Sequence, residues 1–480
     1  MRMTIERHGE HFIGGRWVAA TGTTWVDVIN PATEEVTASV RSASDADVND
    51  AVTAARGAFA DFSRTSVEDR VKLLERILEV YEGRQQDFAS AITREMGAPA
   101  ALAIGDHVWL GVAHLQSTIA AVQRQQLEEA RGSARIFRQP AGVAALITPW
   151  NWPINQVFTK VASALAAGCT MVLKPSEFSP LDSRLFAEVA EEAGVPSGVL
   201  NLVFGEGPTV GSALARHPGV DVVSFTGSNR AGKQISKEAA DTVKTVHLEL
   251  GGKSPNVILD DAPLEAAVVG GVSGCFSNTG QTCTAPTRMI VPRDRLEDVI
   301  RIAKETAEEH VTGDPADKAT TLGPLVNARQ FAHVQRLIQS GIDEGARLVT
   351  GGVGRPEGLE RGYFVKPTIF ADVTPSMRIA QEEIFGPVLS ILAYDSEAEA
   401  VEIANDTVYG LAAVVHSADR SHAVAVARQI RAGHVYVNDT YDGYTDVPFG
   451  GMKHSGSGYE HAEWGIEGFQ VLQAVLGASE

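Results

Sequence analysis

The amino-acid sequence predicts an α/β protein: a doubly wound, Rossmann-like parallel sheet, then a second α/β unit, with a small β arm beside them. Three observations carry this. Short apolar-rich runs recur between residues 141 and 250, at AGVAALI, CTMVLKP, GVLNLVFG, DVVSFTGS and TVHLEL. Continuous rather than alternating apolar runs mark strands covered on both faces, as in a parallel sheet. The stretches between them carry helical periodicity, so strand and helix alternate, and right-handed crossovers then wind helices onto both faces. From Gly251 to about residue 450 a second alternation follows, with helical segments at 295 to 309 and 328 to 344 and strand candidates VLSILAY and HVYVND.

In chain order, Ser44 with Asp47 and Ser66 with Asp69 fit helix-start capping boxes. After the second, Val71, Leu74, Leu78 and Tyr81 recur at helical spacing, as in an amphipathic helix packed on something larger. Residues 119 to 140 are polar, arginine-bearing and partly β-branched, and the tail FQVLQAVLG alternates weakly. Both read as edge strands that need partners. The Gly/Pro-rich junction ELGGKSP, residues 249 to 255, is a boundary. The expected division is therefore 1–118 with 141–250, then 251–450, with 119–140 and 465–480 forming the arm and tail. No internal repeat or low-complexity tract interrupts this order.

Composition narrows the function classes. The 480 residues are 44% hydrophobic and 21% charged, an ordinary globular balance, and the length suits two or three domains. With 41 basic against 60 acidic side chains the net charge is −19, a field that repels nucleic acid and anionic membrane surfaces. Three cysteines, Cys169, Cys275 and Cys283, are too few for a secreted disulfide framework. The first residues lack the apolar core of a secretory leader, and no apolar run reaches the ~18 residues of a membrane span. A soluble cytoplasmic protein without a metal site is expected.

Three residues stand out chemically. Cys283 lies in GQTCTAPTR, a polar, turn-rich setting unusual for a structural thiol, although buried and inert is the ordinary role of a lone cysteine. Cys169 and Cys275, in LAAGCTMVL and VSGCFSN, fit that ordinary role. Glu249 ends an otherwise apolar strand in VHLELGGKSP, where desolvation raises a carboxylate toward the range of a general base. A strand-end carboxylate turned to solvent fits the same residues. Asn151, in ITPWNWP, sits in a Pro-rich turn that either aims its amide as a donor or merely uses Asn as a turn former. Lys174 and Glu177 follow the second strand. Gly227, Ser228 and Gly232 open the helix after the fourth, where a helix N-terminus can hold a pyrophosphate. The G-x-G-x-x-G fingerprint is absent after every strand, so a dinucleotide would bind by a variant arrangement.

Taken together, ITPWNWP, KPSE, FTGS, LELGGKSP, GQTCTAPTR, EEIFGPV and PFGGMKHSG, in that order over residues 147 to 456, strongly resemble the aldehyde dehydrogenase superfamily. FIGGRW and VINPATEE near the N-terminus extend the likeness to nearly the whole chain. The resemblance implies Cys283 as nucleophile, Glu249 as general base and Asn151 as oxyanion donor. It implies an NAD(P)+ site along Thr148, Pro149, Trp150, Lys174, Ser176, Glu177, Gly207, Gly211, Phe225, Thr226, Gly227, Ser228, Leu250, Gly251, Glu383 and Phe385. Lys174 and Glu177 fall at the adenine ribose, Ser228 at the pyrophosphate, and Glu383 and Phe385 at the nicotinamide ribose. A carboxylate at Glu177 repels a 2′-phosphate, which favours NAD+ over NADP+.

The aldehyde tunnel is expected around Trp152, Gln156, Phe158, Thr159, Thr282, Thr284, Tyr441, Gly443 and Tyr444. With no arginine there unless Arg288 points inward, apolar or aromatic aldehydes are favoured over carboxylated semialdehydes. Glu249 argues for release of a free acid rather than transfer to coenzyme A, the rival being a coenzyme A-acylating semialdehyde dehydrogenase. A cysteine hydrolase would need a histidine base, which none of the 13 histidines supplies by motif. A retired, non-enzymatic scaffold is a third reading. Tyr459 departs from the family pattern, which commonly has arginine there, and leaves local packing open. The resemblance further implies a homodimer or homotetramer assembled through the arm and tail.

Overall fold

A computed structural model describes residues 5–439 and 443–478 of the chain. All five apolar-rich runs are strands, and they form the parallel centre of an eight-stranded sheet. Its spatial order is Gly456–Ser457, Thr245–Glu249, Val222–Thr226, Val143–Ile147, Thr170–Lys174, Leu200–Leu202, Glu10–Ile13 and Arg16–Ala19. The central five run parallel; the outer ones join antiparallel. The chain enters at Val143–Ile147, winds one way through Thr170–Lys174, then returns to the other side of its starting strand at Val222–Thr226. That reversal opens a crevice at the carboxyl ends of the two strands, where open α/β sheets bind ligands. Every residue of Val143–Ile147 and Thr170–Lys174 is buried, which explains why both read as unbroken apolar runs.

The second sheet has seven strands, ordered Arg347–Thr350, Thr368–Ala371, Val388–Tyr394, Arg288–Pro292, Pro255–Ile258, Ala412–His416 and His434–Val437, parallel except for the first pair. Helices Leu296–Glu308 and Ala328–Asp343 fall where the periodicity predicts.

Local signals near the N-terminus hold in detail. Ser44 and Ser66 each accept from the backbone N–H three residues on, and Asp47 and Asp69 accept from the Ser44 and Ser66 amides. Each cap contributes about 1 kcal/mol. Residues 119 to 140 differ from the edge-strand expectation. The helix Trp109–Arg124 runs through the first part because Leu115, Thr118, Ala121 and Val122 continue its buried face, and strands begin only at Glu128–Arg131 and Ala134–Pro140. The tail strand Gln470–Leu476 pairs antiparallel with Ala134–Pro140 along its whole length, closing a three-stranded sheet. A further three-stranded sheet of Glu6–His8, Glu35–Arg41 and Trp25–Asn30 has no counterpart in the sequence reading. Among the described residues no helix is long and apolar enough to cross a membrane.

Candidate active site

Two turns meet between the sheets. One follows strand Val143–Ile147 and carries Trp150, Asn151 and Trp152 before the helix Pro153–Ala167, which starts on a proline in its first turn. The other follows the helix Leu264–Phe276. Its residues Asn278, Thr279 and Gly280 all have left-handed backbone, at φ 52°, 56° and 70°. That conformation is costly for Asn and more so for β-branched Thr, and persists only where the surroundings over-determine it. They do so here. Thr279 Oγ1 donates to the Gly323 carbonyl at 3.2 Å, and Gln281 Oε1 accepts from the Val326 amide at 3.0 Å. A Cβ on Gly280 would sit 2.2 Å from the Gly386 backbone.

Hydrogen bonds in both directions clamp the two turns together. Asn151 Nδ2 donates to the Gln281 carbonyl at 3.0 Å, Asn278 Nδ2 to the Asn151 carbonyl at 2.7 Å, and Trp152 Nε1 to Thr282 Oγ1 at 3.0 Å. An amide nitrogen carries two protons, so Asn151 keeps a second donor. Behind Trp152, the His107 ring stacks at 4.1 Å between centroids, held by the π-helical turn Ala103–Val108. The clamp sets Cys283, which is partly exposed, whereas Cys169 and Cys275 are fully buried, with thiols pushed up to about 11 and about 12 by desolvation. Gly252 lets the strand-end turn pass: a Cβ there would lie 2.3 Å from the Cys283 carbonyl oxygen.

Glu249 ends the strand Thr245–Glu249, buried, its Oε2 without a hydrogen-bond partner. Desolvation first, then the Glu460 carboxylate, hold it well above the ordinary carboxylate range, with the Lys160 ammonium opposing. Lys160 is buried too, paired with Glu460 and donating to Ser224 Oγ at 3.1 Å. Beyond this turn Glu383 accepts from the Gly252 amide at 2.9 Å and is raised by burial to about 7.

At the crevice, Lys174 Nζ lies 3.2 Å from Glu177 Oε2, and Thr148 N donates to the Lys174 carbonyl at 3.1 Å. Ser176 Oγ accepts from the Phe178 amide. Ser228 caps the helix Asn229–Ala240, its Oγ accepting from the Ala231 amide. The Gly227 amide donates to the Glu249 carbonyl, which links this turn to the general-base candidate. Gly207 and Gly211 bound a short helical turn, and Gly207 has open space where a side chain would be. Trp150 meets Phe385 edge-on at 5.4 Å. Leu250 packs over Gly232, and a Cβ on Gly251 would strike the Glu383 carboxylate.

Cys283 opens onto a cavity of about 290 Å³. Trp152, Gln156, Thr282, Thr284 and Tyr444 line it, as the sequence suggests. Phe158 does not, and this corrects the expectation: it turns into the core, fully buried, edge-on to Tyr81 at 4.6 Å and Phe186 at 5.1 Å. Thr159 likewise turns inward, donating to the Asn155 carbonyl. Arg288 is spent on the Lys253, Ile403 and Ala404 carbonyls and does not reach the cavity. Tyr441 lies outside the described residues. Leu110, His114, Asn155, Tyr436, Phe449 and His461, not expected from the sequence, also line the cavity. Asn155 directly precedes Gln156 in the helix Pro153–Ala167, and Phe449 lies in PFGGMKHSG five residues after Tyr444; Leu110, His114 and His461 come from other elements.

Comparison with known proteins agrees with this architecture. The model of the aldehyde dehydrogenase family matches residues 17–475. The chain is 50% identical to the 3-succinoylsemialdehyde-pyridine dehydrogenase of a Pseudomonas species, over 98% of each chain. A cysteine-to-alanine mutant of aldehyde dehydrogenase C from Pseudomonas syringae, in complex with NAD+ and octanal, superimposes with a TM-score of 0.97 at 50% identity, covering 98% of this chain and 97% of that one. An aldehyde dehydrogenase from Mycobacterium tuberculosis complexed with NAD+ gives 0.96 at 39% identity, covering 98% and 99%. The chain belongs to the aldehyde dehydrogenase family.

Proposed function

We propose that this chain oxidises an uncharged aldehyde to the free carboxylic acid with NAD+, through a covalent adduct on Cys283. The observation that carries this reading is the placement of Cys283. Of three cysteines it alone is partly exposed and lines the cavity, beside a turn clamped to Asn151. The Cys283 thiolate attacks the aldehyde carbon, and the remaining Nδ2 proton of Asn151 and a backbone N–H stabilise the developing oxyanion. Bound NAD+ supplies the hydride acceptor. Glu249, whose proton affinity is raised by burial, takes a proton from the water that hydrolyses the resulting thioester.

The crevice residues fit a dinucleotide. The Ser228-capped helix end offers amides to a pyrophosphate, Lys174 and Glu177 offer a donor and an acceptor to the adenine ribose, and open space over Gly207 leaves room beside them. Glu383 and Phe385 stand ready for the nicotinamide ribose. The Glu177 carboxylate favours NAD+ over NADP+.

The eight-stranded sheet serves as the cofactor unit, the seven-stranded sheet as the catalytic unit, and the hairpin with tail strand as the surface for a homodimer or homotetramer. Leu472 and Leu476 on that strand are 67% and 80% exposed, which supports burial against another copy. Light scattering that finds only monomer would exclude it. Three thiols with no disulfide among them suit a reducing cytoplasm. An apolar or aromatic aldehyde is favoured because no arginine or lysine lines the cavity among the described residues. Octanal in the neighbouring structure and the pyridine in the relative's name are in keeping with that. Steady-state assays with NAD+ and 3-phenylpropanal, with and without coenzyme A, test the reaction. NADH formation without the thiol is expected; strict dependence on coenzyme A would overturn hydrolysis.

A further inference from the structure

One wall of the cavity is more polar than an apolar aldehyde requires. The helices Trp109–Arg124, Pro153–Ala167 and Ala462–Glu467 pack against one another there and bring His114, Asn155, Gln156 and His461 into the lining. None of these lies near Cys283 in sequence. The two imidazoles lie side by side, centroids 4.5 Å apart and planes tilted by 55°. Phe449 stacks on His461 at 5.0 Å, and His434 lies against Phe449 at 4.8 Å. This ladder of four rings fixes the pair in place from the second sheet. His461 itself has left-handed backbone, φ 71°, directly before its helix.

Two of these side chains have polar atoms left over. Gln156 Oε1 and His461 Nδ1 are buried without a hydrogen-bond partner. A buried polar atom left unpaired costs about 1–3 kcal/mol, and a side-chain rotation that presents these two atoms to a ligand able to pair with them recovers that cost and discriminates for the ligand. Burial depresses both imidazoles, His461 to about 3 and His114 well below its usual value, so at neutral pH neither offers positive charge to a carboxylate. Each neutral imidazole is already engaged on one side, His114 with the Asn155 side chain and His461 with the Tyr444 backbone, which leaves one ring nitrogen of each to face a hydroxyl, itself both donor and acceptor.

We propose that His114, Asn155, Gln156 and His461 form a polar subsite that recognises an uncharged hydrogen-bonding group, such as a hydroxyl, carried by the aldehyde away from its reacting carbon. This rests on the dehydrogenase reading above and adds a selection rule to it. The surrounding Leu110, Trp152, Tyr436 and Phe449 then hold the apolar or aryl body of the substrate.

Matched aldehydes test the subsite: 3-phenylpropanal against its 3-hydroxyphenyl, 4-hydroxyphenyl and 4-carboxyphenyl analogues, each with NAD+. The better hydroxylated aldehyde should exceed 3-phenylpropanal in kcat/KM by about tenfold or more, and the carboxylated one should fall below it. In His461→Leu and Gln156→Met the ratio of hydroxylated to plain aldehyde should drop toward one, because the plain aldehyde loses no partner. A merely structural role would lower both alike and leave the ratio standing, which would overturn the subsite. So would a wild-type enzyme indifferent to the ring hydroxyl, or one that prefers the carboxylate; these comparisons need no variant to fold. Such results with NADH still forming refute the subsite alone, whereas no NADH from any of the four aldehydes refutes the dehydrogenase reading itself.

Discussion

The turn that bears Cys283 and the cavity it faces are assembled by opposite means. The turn is built from residues that sit together in short motifs, clamped by three hydrogen bonds between residues 151–152 and 278–282. The cavity wall is gathered from helices and strands more than 300 residues apart, and rings rather than motifs hold it. On the proposed mechanism the difference separates chemistry from selection: the reacting groups are locally encoded, while substrate choice would rest on long-range packing.

The comparison breaks first at the nucleophile. Cys283→Ala should lower NADH formation by at least ~10⁴-fold while calorimetry still detects NAD+ binding. Retained turnover would remove the turn from the chemistry altogether.

Glu249→Gln comes next. Steady-state turnover should fall by about 10²–10⁴-fold, yet rapid mixing should still show a burst of NADH approaching one per active site, because only deacylation needs the base. The sign of the pH dependence follows from burial. A base works deprotonated, and the Glu249 proton affinity is raised, so wild-type turnover should climb with pH well above the ordinary carboxylate range. Loss of that limb in the variant checks the assignment; an unchanged pH profile would move the base elsewhere.

The proposed reacting groups were legible because each breaks a local rule of sequence. A carboxylate ends an apolar strand at Glu249, a thiol sits among turn formers at Cys283, and Asn151 lies between prolines. The central sheet was legible too, since full burial of both faces leaves continuous apolar runs. Other parts had no such signature. The strand Gly456–Ser457 is two residues long, and the N-terminal three-stranded sheet mixes charged and apolar positions, as in WVDVIN. Residues 119–124, IAAVQR, are mostly apolar and close the helix Trp109–Arg124; the polar, arginine-bearing stretch read as strand begins only after them. His114 and His461 were invisible for a different reason: only folding makes them neighbours.

A smaller effect tests the clamp. Asn278→Ala removes the 2.7 Å donor to the Asn151 carbonyl and puts alanine where left-handed backbone suits asparagine. The folded state should lose about 1–3 kcal/mol in urea titrations, with kcat down about tenfold and KM nearly constant. A rise in KM alone would mean that the turn positions substrate rather than the oxyanion donor.

The least effect on catalysis belongs to Phe158, which borders the tunnel in sequence and leaves it in space. Truncating a fully buried ring that packs edge-on to Tyr81 and Phe186 creates a cavity in the core between the eight-stranded sheet and its helices, so Phe158→Ala should cost about 3–5 kcal/mol of stability. The protein that remains folded should keep KM within about twofold, since no lining atom has gone. Tyr444→Ala inverts the pattern: this ring lines the cavity and is 49% exposed, so KM should rise with little change in the unfolding midpoint. If Phe158→Ala raised KM as Tyr444→Ala does, core and tunnel would share one packing unit. Selection would then be inseparable from the stability of the helix Pro153–Ala167.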